Sequence, residues 1–153
     1  MALTTNNQVT RFLTRVRTTD SNTPVTQDGP VSGAIQVIQV TLDDVANNET
    51  ASSRVTFPPG CSFYISDIYA GADSVTSDPS LTIGTSAAGT QIAKAVNLTT
   101  NLGAVTLKQN DVSAGSFIDI VLVADAGDAA ESVYLTITGY ITAPPTTLAY
   151  RGS

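Results

Sequence analysis

The chain has 153 residues, 42% of them hydrophobic and 13% charged, and its 7 basic and 13 acidic residues give a net charge of −6 at pH 7. A chain of this length can bury a core as one domain, and its single cysteine, Cys61, excludes an intramolecular disulfide. The absence of histidine removes the usual general base and the commonest transition-metal ligand. We therefore expect no enzyme, no catalytic residue, no resident metal and no cofactor, and the sparse positive charge disfavours nucleic acid as a partner.

Residues 1–30 differ in composition from the rest of the chain. They are rich in Thr and Asn and contain three of the seven basic residues. Several apolar residues there have helical spacing, but the surrounding threonines disfavour an isolated helix. We predict an N-terminal arm that is extended, or that forms a short helix only against a partner. The candidate capsid or partner contacts of this arm are Arg11, Phe12, Leu13, Arg15 and Arg17.

The start of the chain lacks a basic stretch followed by an apolar run, and no segment approaches the roughly 18 apolar residues of a membrane span. The sequence therefore predicts a protein that is made in a cytoplasm, and stays there or in a particle assembled there. No membrane partner is expected.

From about residue 33 onward, apolar and polar residues alternate with a period of two, as in strands with one buried face. Turn clusters rich in Gly, Pro and Asn separate these segments at short, regular intervals, which is typical of a sandwich or barrel. The predicted strands are residues 34–42, 53–57, 62–70, 80–83, 91–95, 104–108, 117–123 and 132–142.

The predicted fold is thus an all-β antiparallel sandwich of about eight strands, which we expect to be jelly-roll-like. It covers residues 31–143, and a short tail, residues 144–153, follows the strand-ending Pro144-Pro145. Residues 43–52 could form one helical turn, although Asn47-Asn48 favours a loop.

The last two predicted strands show the pattern most clearly. In residues 132–142, one face carries a row of aliphatic side chains, and Tyr134 and Tyr140 lie on the other. In residues 117–123, Asp119 is the one polar interruption of an apolar run. A buried carboxylate needs a partner, so we expect a facing lysine or arginine, or an edge position in water.

Two loops resemble ligand sites superficially. Residues 84–90 are small and contain glycine, but they lack the Gly-Lys-Ser/Thr ending of a phosphate-binding loop, so a turn is predicted. Asp125, Asp128 and Glu131 could offer oxygen ligands to calcium, yet the EF-hand spacing is absent, and we expect solvated loop residues.

Aromatic residues offer one further possibility. Strand tyrosines are commonly found at interfaces and sheet rims, and they could alternatively form a sugar-stacking platform. The lack of tryptophan counts against the second interpretation. The candidate interface tyrosines are Tyr64, Tyr69, Tyr134, Tyr140 and Tyr150.

The order of elements over the last two thirds of the chain resembles that of small structural proteins of tailed bacteriophages, especially head decoration (cement) proteins. The runs that carry the resemblance are Phe57-Pro58-Pro59-Gly60, residues 63–69, residues 79–90, Leu107, Val112-Ser113-Ala114-Gly115, residues 134–140 and Pro144-Pro145.

The resemblance implies a β-sandwich that is jelly-roll-like and trimeric, binds the outside of a capsid and clamps neighbouring major capsid subunits. The expected partners are therefore the major capsid protein and further copies of this chain, and the expected location is the capsid surface of a virion made in a bacterial cytoplasm. A tail, neck or fibre component and a carbohydrate-binding module are the alternatives.

Overall fold

The structure is a computed structural model that describes residues 34–143 and two short strands further towards the N-terminus. These parts of the chain form strands and loops, and they contain no helix long and apolar enough to cross a membrane. The strands are β1 (Val16–Arg17), β2 (Thr26–Gln27), β3 (Ile35–Leu42), β4 (Val45–Ala46), β5 (Glu49–Thr56), β6 (Ser62–Gly71), β7 (Ser74–Thr76), β8 (Ser80–Gly84), β9 (Ala93–Asn97), β10 (Gly103–Ala104), β11 (Asp111–Val112), β12 (Phe117–Ala124), β13 (Ala129–Glu131) and β14 (Val133–Ala143).

Two antiparallel sheets make up the body. The five-stranded sheet has the order β10-β6-β14-β3, and β11 pairs with β6 on the same side as β10. The four-stranded sheet has the order β5-β12-β8-β9. A third, small sheet, β4-β13-β7, consists of strands that each lie in the chain between a strand of one main sheet and a strand of the other. The small sheet therefore joins the two layers at one end. Among the described strands, β1 and β2 pair only with each other.

The pairing in the body follows a nested order. The first main strand pairs with the last (β3 with β14), and the second pairs with the second to last (β5 with β12). Inside these, β6 pairs with β10 and β11, and β8 pairs with β9. Two further contacts, β14 with β6 and β12 with β8, join these nested pairs side by side into the two sheets.

The core lies between the two main sheets. On β14 the aliphatic row predicted to be buried is at most 3% exposed, and on β12 the alternate residues Ile118, Ile120 and Leu122 are fully buried. Each such side chain stabilises the fold by about 1.5–3 kcal/mol. The prediction of an all-β sandwich of antiparallel sheets is therefore confirmed, as are the inward faces of its last two long strands.

Several element boundaries differ from the prediction. The predicted strand at residues 104–108 is wrong beyond Ala104, since only β10 and, after a gap, β11 pair with β6. Within that gap Val105 still donates one hydrogen bond to Ile68, and Asn110 bonds to Ile65 through its main chain and side chain. Isolated bonds of this kind replace the ladder.

Residues 43–52 contain no helical turn. Asn47 and Asn48 have φ values of 46° and 70°, and this tight turn separates β4 from β5. Asparagine tolerates the left-handed region better than most residues, so the loop favoured by the Asn-Asn pair is confirmed. β4, β7 and β13 were not predicted because two or three residues are too few to show an alternation.

Candidate interaction surface

The outer face of the five-stranded sheet carries four of the five candidate tyrosines. Tyr64 and Tyr69 project from β6, and Tyr134 and Tyr140 project from β14, because each occupies a position that alternates with the buried row. Tyr150 lies outside the described residues. The sheet thus brings together aromatic side chains that are up to 76 positions apart in the sequence.

At one end of this face, Tyr140 lies directly between Tyr64 on β6 and Ile35 on β3. The rings of Tyr64 and Tyr140 stack, with centroids 5.1 Å apart and planes inclined by 24°. Such a pair is worth about 0.5–1.5 kcal/mol beyond its buried area. Ile35 is 62% exposed and Val37, two residues along the same strand, is 37% exposed. An aromatic pair therefore continues into exposed aliphatic surface.

At the other end, the tyrosines lie near a loop. A Cβ added to Gly71 would be 3.1 Å from the hydroxyl of Tyr134 and 3.2 Å from the Cα of Leu102, so the loop before β10 crosses the face here. Leu102 is 51% exposed and Tyr69 is 39% exposed. The large exposed apolar side chains of residues 34–143 therefore lie on or beside this one face of the sandwich.

Charge is distributed unevenly around the body. Residues 34–143 contain eleven acidic and three basic residues, a net charge of −8, yet β3 and β14 carry no Asp, Glu, Lys or Arg. The β3–β14 part of the outer face is thus uncharged, whereas β6 and β11 place the exposed carboxylates of Asp67 and Asp111 beside Thr138 and Tyr64. An uncharged apolar patch rimmed by polar residues is a typical site of protein contact.

Most of the acidic residues lie around the small third sheet. We call this region the acidic end, and its carboxylates are Asp43, Asp44, Glu49, Asp73, Asp78, Asp125, Asp128 and Glu131. Several of them accept main-chain hydrogen bonds, such as Asp44 from Ser132 at 2.8 Å.

Asp128 is the most enclosed carboxylate of this end. Burial acts to raise its pKa, but hydrogen bonds from the Asp78 amide, the Ser77 side chain and the Asp125 amide outweigh this and hold the pKa below its ordinary value. Among the residues described, no three acidic or sulfur ligands are grouped so as to hold a metal ion. The Asp128 carboxylate fastens the loops around Asp78 and Asp125 together.

Asp119 has the partner that its sequence context required. Its partner on the neighbouring strand β5 is Arg54, whose Nε donates to Oδ1 of Asp119 at 3.0 Å. The Ala88 amide donates to Oδ2 of Asp119 at 2.7 Å. The Arg54 guanidinium also lies 3.8 Å above the ring of Phe117. The prediction of a facing cation is confirmed, and the pair stabilises the loop that follows β8.

That loop, residues 84–90, is a turn, as predicted. The Gly89 amide bonds to the Ser86 carbonyl at 2.8 Å, and Gln91 bonds both Thr85 and Ser86. The Ala88 amide, which would be a donor in a phosphate cradle, is already used by Asp119.

The structure describes only one of the five candidate contact residues of the N-terminal arm. Arg11, Phe12, Leu13 and Arg15 lie outside the described residues, and Arg17 is placed only as part of β1. Sequence reasoning missed Ile35 and Val37 as surface residues. The signal was available, since β3 has apolar residues on both faces (Ile-Gln-Val-Ile-Gln-Val-Thr-Leu) where one would suffice for the core.

Comparison of the chain with models of protein families, with curated proteins and with solved structures finds no match in any of the three. The resemblance to decoration proteins therefore stays a prediction.

Proposed function

We propose that this chain is a non-enzymatic structural protein of a virion, namely a decoration (cement) protein on the head of a tailed bacteriophage. It binds the outer surface of the capsid and stabilises it through contacts with major capsid subunits and with its own copies. The observation that carries the proposal is the outer face of the five-stranded sheet, where exposed Ile35 and Val37 of the uncharged strand β3 adjoin the stacked Tyr64–Tyr140 pair. A face of this kind is better suited to a permanent protein contact than to exposure to water.

The proposed topology is a jelly roll. A jelly roll is an eight-stranded double sheet that contains two Greek keys. It can be drawn as a long hairpin rolled up so that its nested strand pairs are divided between two sheets. The nested pairs β3·β14, β5·β12, β6·β10/β11 and β8·β9 support this assignment. The resemblance of the sequence to decoration proteins implies the same architecture.

The arm supplies the second contact in this proposal. Arg11, Arg15 and Arg17 fall within seven residues, whereas the body has a net charge of −8, so positive charge is concentrated in the segment outside the sandwich. A segment that orders on its partner can cover a large surface. We propose that the arm lies on the capsid shell or on a neighbouring copy, and that the functional unit is a trimer on the capsid surface.

The test uses particles that lack the chain and the purified full-length protein. Binding should saturate at on the order of hundreds of copies per head, the number that a shell of repeated closed symmetry offers. Replacing Arg11, Arg15 and Arg17 together with Glu should weaken binding at least about tenfold, the effect of 1.4 kcal/mol.

The control for this test exchanges Lys94 and Lys108 for Glu, which lowers the net charge by four on the sandwich itself, against six in the arm variant. Circular dichroism should show both variants folded. Equal binding by the arm variant and the control would refute the role of the arm, and failure of the unaltered chain to bind heads would refute the proposal as a whole.

Two alternatives have distinct outcomes. Saturation at a few tens of copies, located at the neck, tail or fibre, would indicate a tail component. A carbohydrate-binding module gains some support from the four tyrosines on one sheet face. However, Tyr64 and Tyr140 stack on each other, which leaves less ring surface for a sugar. Saturable binding of the isolated protein on a glycan array would favour that alternative.

A further inference from the structure

One edge of the five-stranded sheet lacks the features that protect sheet edges. β3 pairs with β14 on one side, and none of the other described strands pairs with it on the opposite side. It is eight residues long, regular, and free of charged residues and proline. Soluble proteins usually protect such edges with charges, proline, bulges or very short strands, because an open edge is a template for pairing with another chain.

The other edges of the two main sheets have that protection. β5 carries Glu49 and Arg54, and β9 carries Lys94 together with a register shift against β8 and a positive φ at Ala95. β10 and β11 have only two residues each. Among the described edges, β3 alone is long, regular and uncharged.

On one face of β3 apolar side chains are exposed to solvent, and on the other a buried amide lacks a hydrogen-bond partner. On the outer face, Ile35 and Val37 are 62% and 37% exposed. On the inner face, Gln36 is 5% exposed, and its Nε2 has no hydrogen-bond partner. A buried polar group without a partner destabilises a fold, so such a group in a native protein requires an explanation.

Electrostatics restrict the possible occupant of this edge. Two bodies that each carry a net charge of −8 repel each other. The uncharged pair β3 and β14 is the part of the body where two copies can approach with the least repulsion. A basic partner would instead be drawn towards the acidic end.

We propose that the β3 edges of two copies pair antiparallel and so join their five-stranded sheets into one continuous sheet. Opposed residues in a sheet share a face, so the register must place odd-numbered residues opposite odd-numbered residues. The register centred on Val37 sets Val37 of each copy opposite its equivalent and places each Ile35 diagonal to Val37 of the other copy on the outer face.

In the same register the two Gln36 side chains become diagonal neighbours on the inner face. Diagonal positions lie about 7–8 Å apart, within reach of two long amide side chains. Rotation of the Gln36 side chain towards the edge would let each amide donate the hydrogen bond that its Nε2, which is buried within one copy, lacks there. The contact is two-fold, so it joins copies in pairs, and in a trimeric protein it links neighbouring trimers. It does not depend on binding to a capsid.

Single introduced cysteines test the pairing and its register in the full-length chain. The native Cys61 is 1% exposed, and burial raises the pKa of its thiol, so it contributes little reactive thiolate. Treatment of Val37→Cys with a short bismaleimide should give a covalent dimer on a denaturing gel. Lys94→Cys, on the edge of the other sheet, is the matched control and should stay monomeric.

A mixture of Ile35→Cys and Gln39→Cys chains should likewise crosslink more than either variant alone, because these two positions oppose each other in the proposed register. If Val37→Cys crosslinks no more than Lys94→Cys, the proposal is wrong. A mixed product of Val37→Cys with Arg15→Cys, in place of the Val37 dimer, would assign the edge to the arm of a neighbouring copy and would also overturn it.

Sedimentation of the uncrosslinked protein gives an independent measurement. Val37→Lys should raise the dissociation constant of the pair at least tenfold, because it places two like charges opposite each other across the two-fold axis. Circular dichroism shows whether the variant is folded, as expected for an exposed site. An unchanged dissociation constant would contradict edge pairing, whatever the outcome of the capsid-binding test.

Discussion

Removal of the Asp119 carboxylate should destabilise the four-stranded sheet through the loss of two hydrogen bonds. Asp119 is 6% exposed, and its two oxygens accept from Arg54 at 3.0 Å and from the Ala88 amide at 2.7 Å. Asp119→Ala leaves the Ala88 amide without an acceptor, which costs about 1–3 kcal/mol. It also leaves Arg54 without its counter-ion.

The contribution of Arg54 is smaller because its side chain is 46% exposed. Ion pairs open to water contribute about 0–1 kcal/mol, and the contact between Arg54 and the Phe117 ring adds about 0.5–1 kcal/mol at an exposed site. We therefore expect Asp119→Ala to cost about 2–3 kcal/mol and Arg54→Ala about 1–2 kcal/mol. Because the two residues share one interaction, the double variant should cost less than the sum by about 1 kcal/mol.

Urea unfolding of the four chains of this cycle measures these quantities. A fall in the midpoint at constant slope reports lost stability, and Lys94→Ala, which removes an exposed cation, should change the free energy by less than about 0.5 kcal/mol. Additive single effects would show that the Arg54–Asp119 contact contributes nothing. A cost of Asp119→Ala no larger than that of the Lys94 control would refute the reasoning about the buried carboxylate.

Two further predictions concern a bulge and a loop. A Cβ at Gly139, where the β14–β6 register shifts, would collide with the Tyr64 carbonyl and the Phe63 ring, so Gly139→Ala should cost about 1–3 kcal/mol or prevent folding. Gly103→Ala, with no atom nearer than 3.8 Å, should be close to neutral in the same urea unfolding assay. The pKa of Asp128 is lowered on folding, so its contribution to stability is present above the unfolded pKa and is lost as the pH falls through the folded value. Asp128→Asn should therefore be less stable at neutral pH and should lose less stability on acidification; a parallel pH profile for both proteins would contradict this.

The sequence was informative where a local pattern of side chains is compatible with only a few structural arrangements. Alternation on β14 predicted which face is buried, and the structure confirms it. Asp119 in an apolar strand predicted either a facing cation or an edge position in water, and the structure shows the cation. The identity of that partner was out of reach, because Arg54 is 65 positions away and becomes its neighbour only through the pairing of β5 with β12.

The outer face also combines a feature that the sequence predicted with others that it did not. The sequence indicated that Tyr134 and Tyr140 share a face, since they are an even number of residues apart in one strand. That Tyr64 stacks on Tyr140, and that Ile35 adjoins the pair, depends on the register between three strands. Register is a tertiary property, because a shift of two residues preserves every inward and outward face but changes every neighbour.

The sequence alone thus determined the fold class, the inward faces of the long strands, the position of the loop at Asn47-Asn48 and the concentration of positive charge in the arm. These features follow from local chemistry, namely side-chain polarity with a period of two and the backbone preferences of single residues. Only the tertiary structure decided that β3 lies at an edge, that Gln36 is buried there without a partner, and that the exposed apolar residues share one face. Each of these depends on which strands are neighbours, and strand order is set by long-range packing that leaves the local pattern of the sequence unchanged.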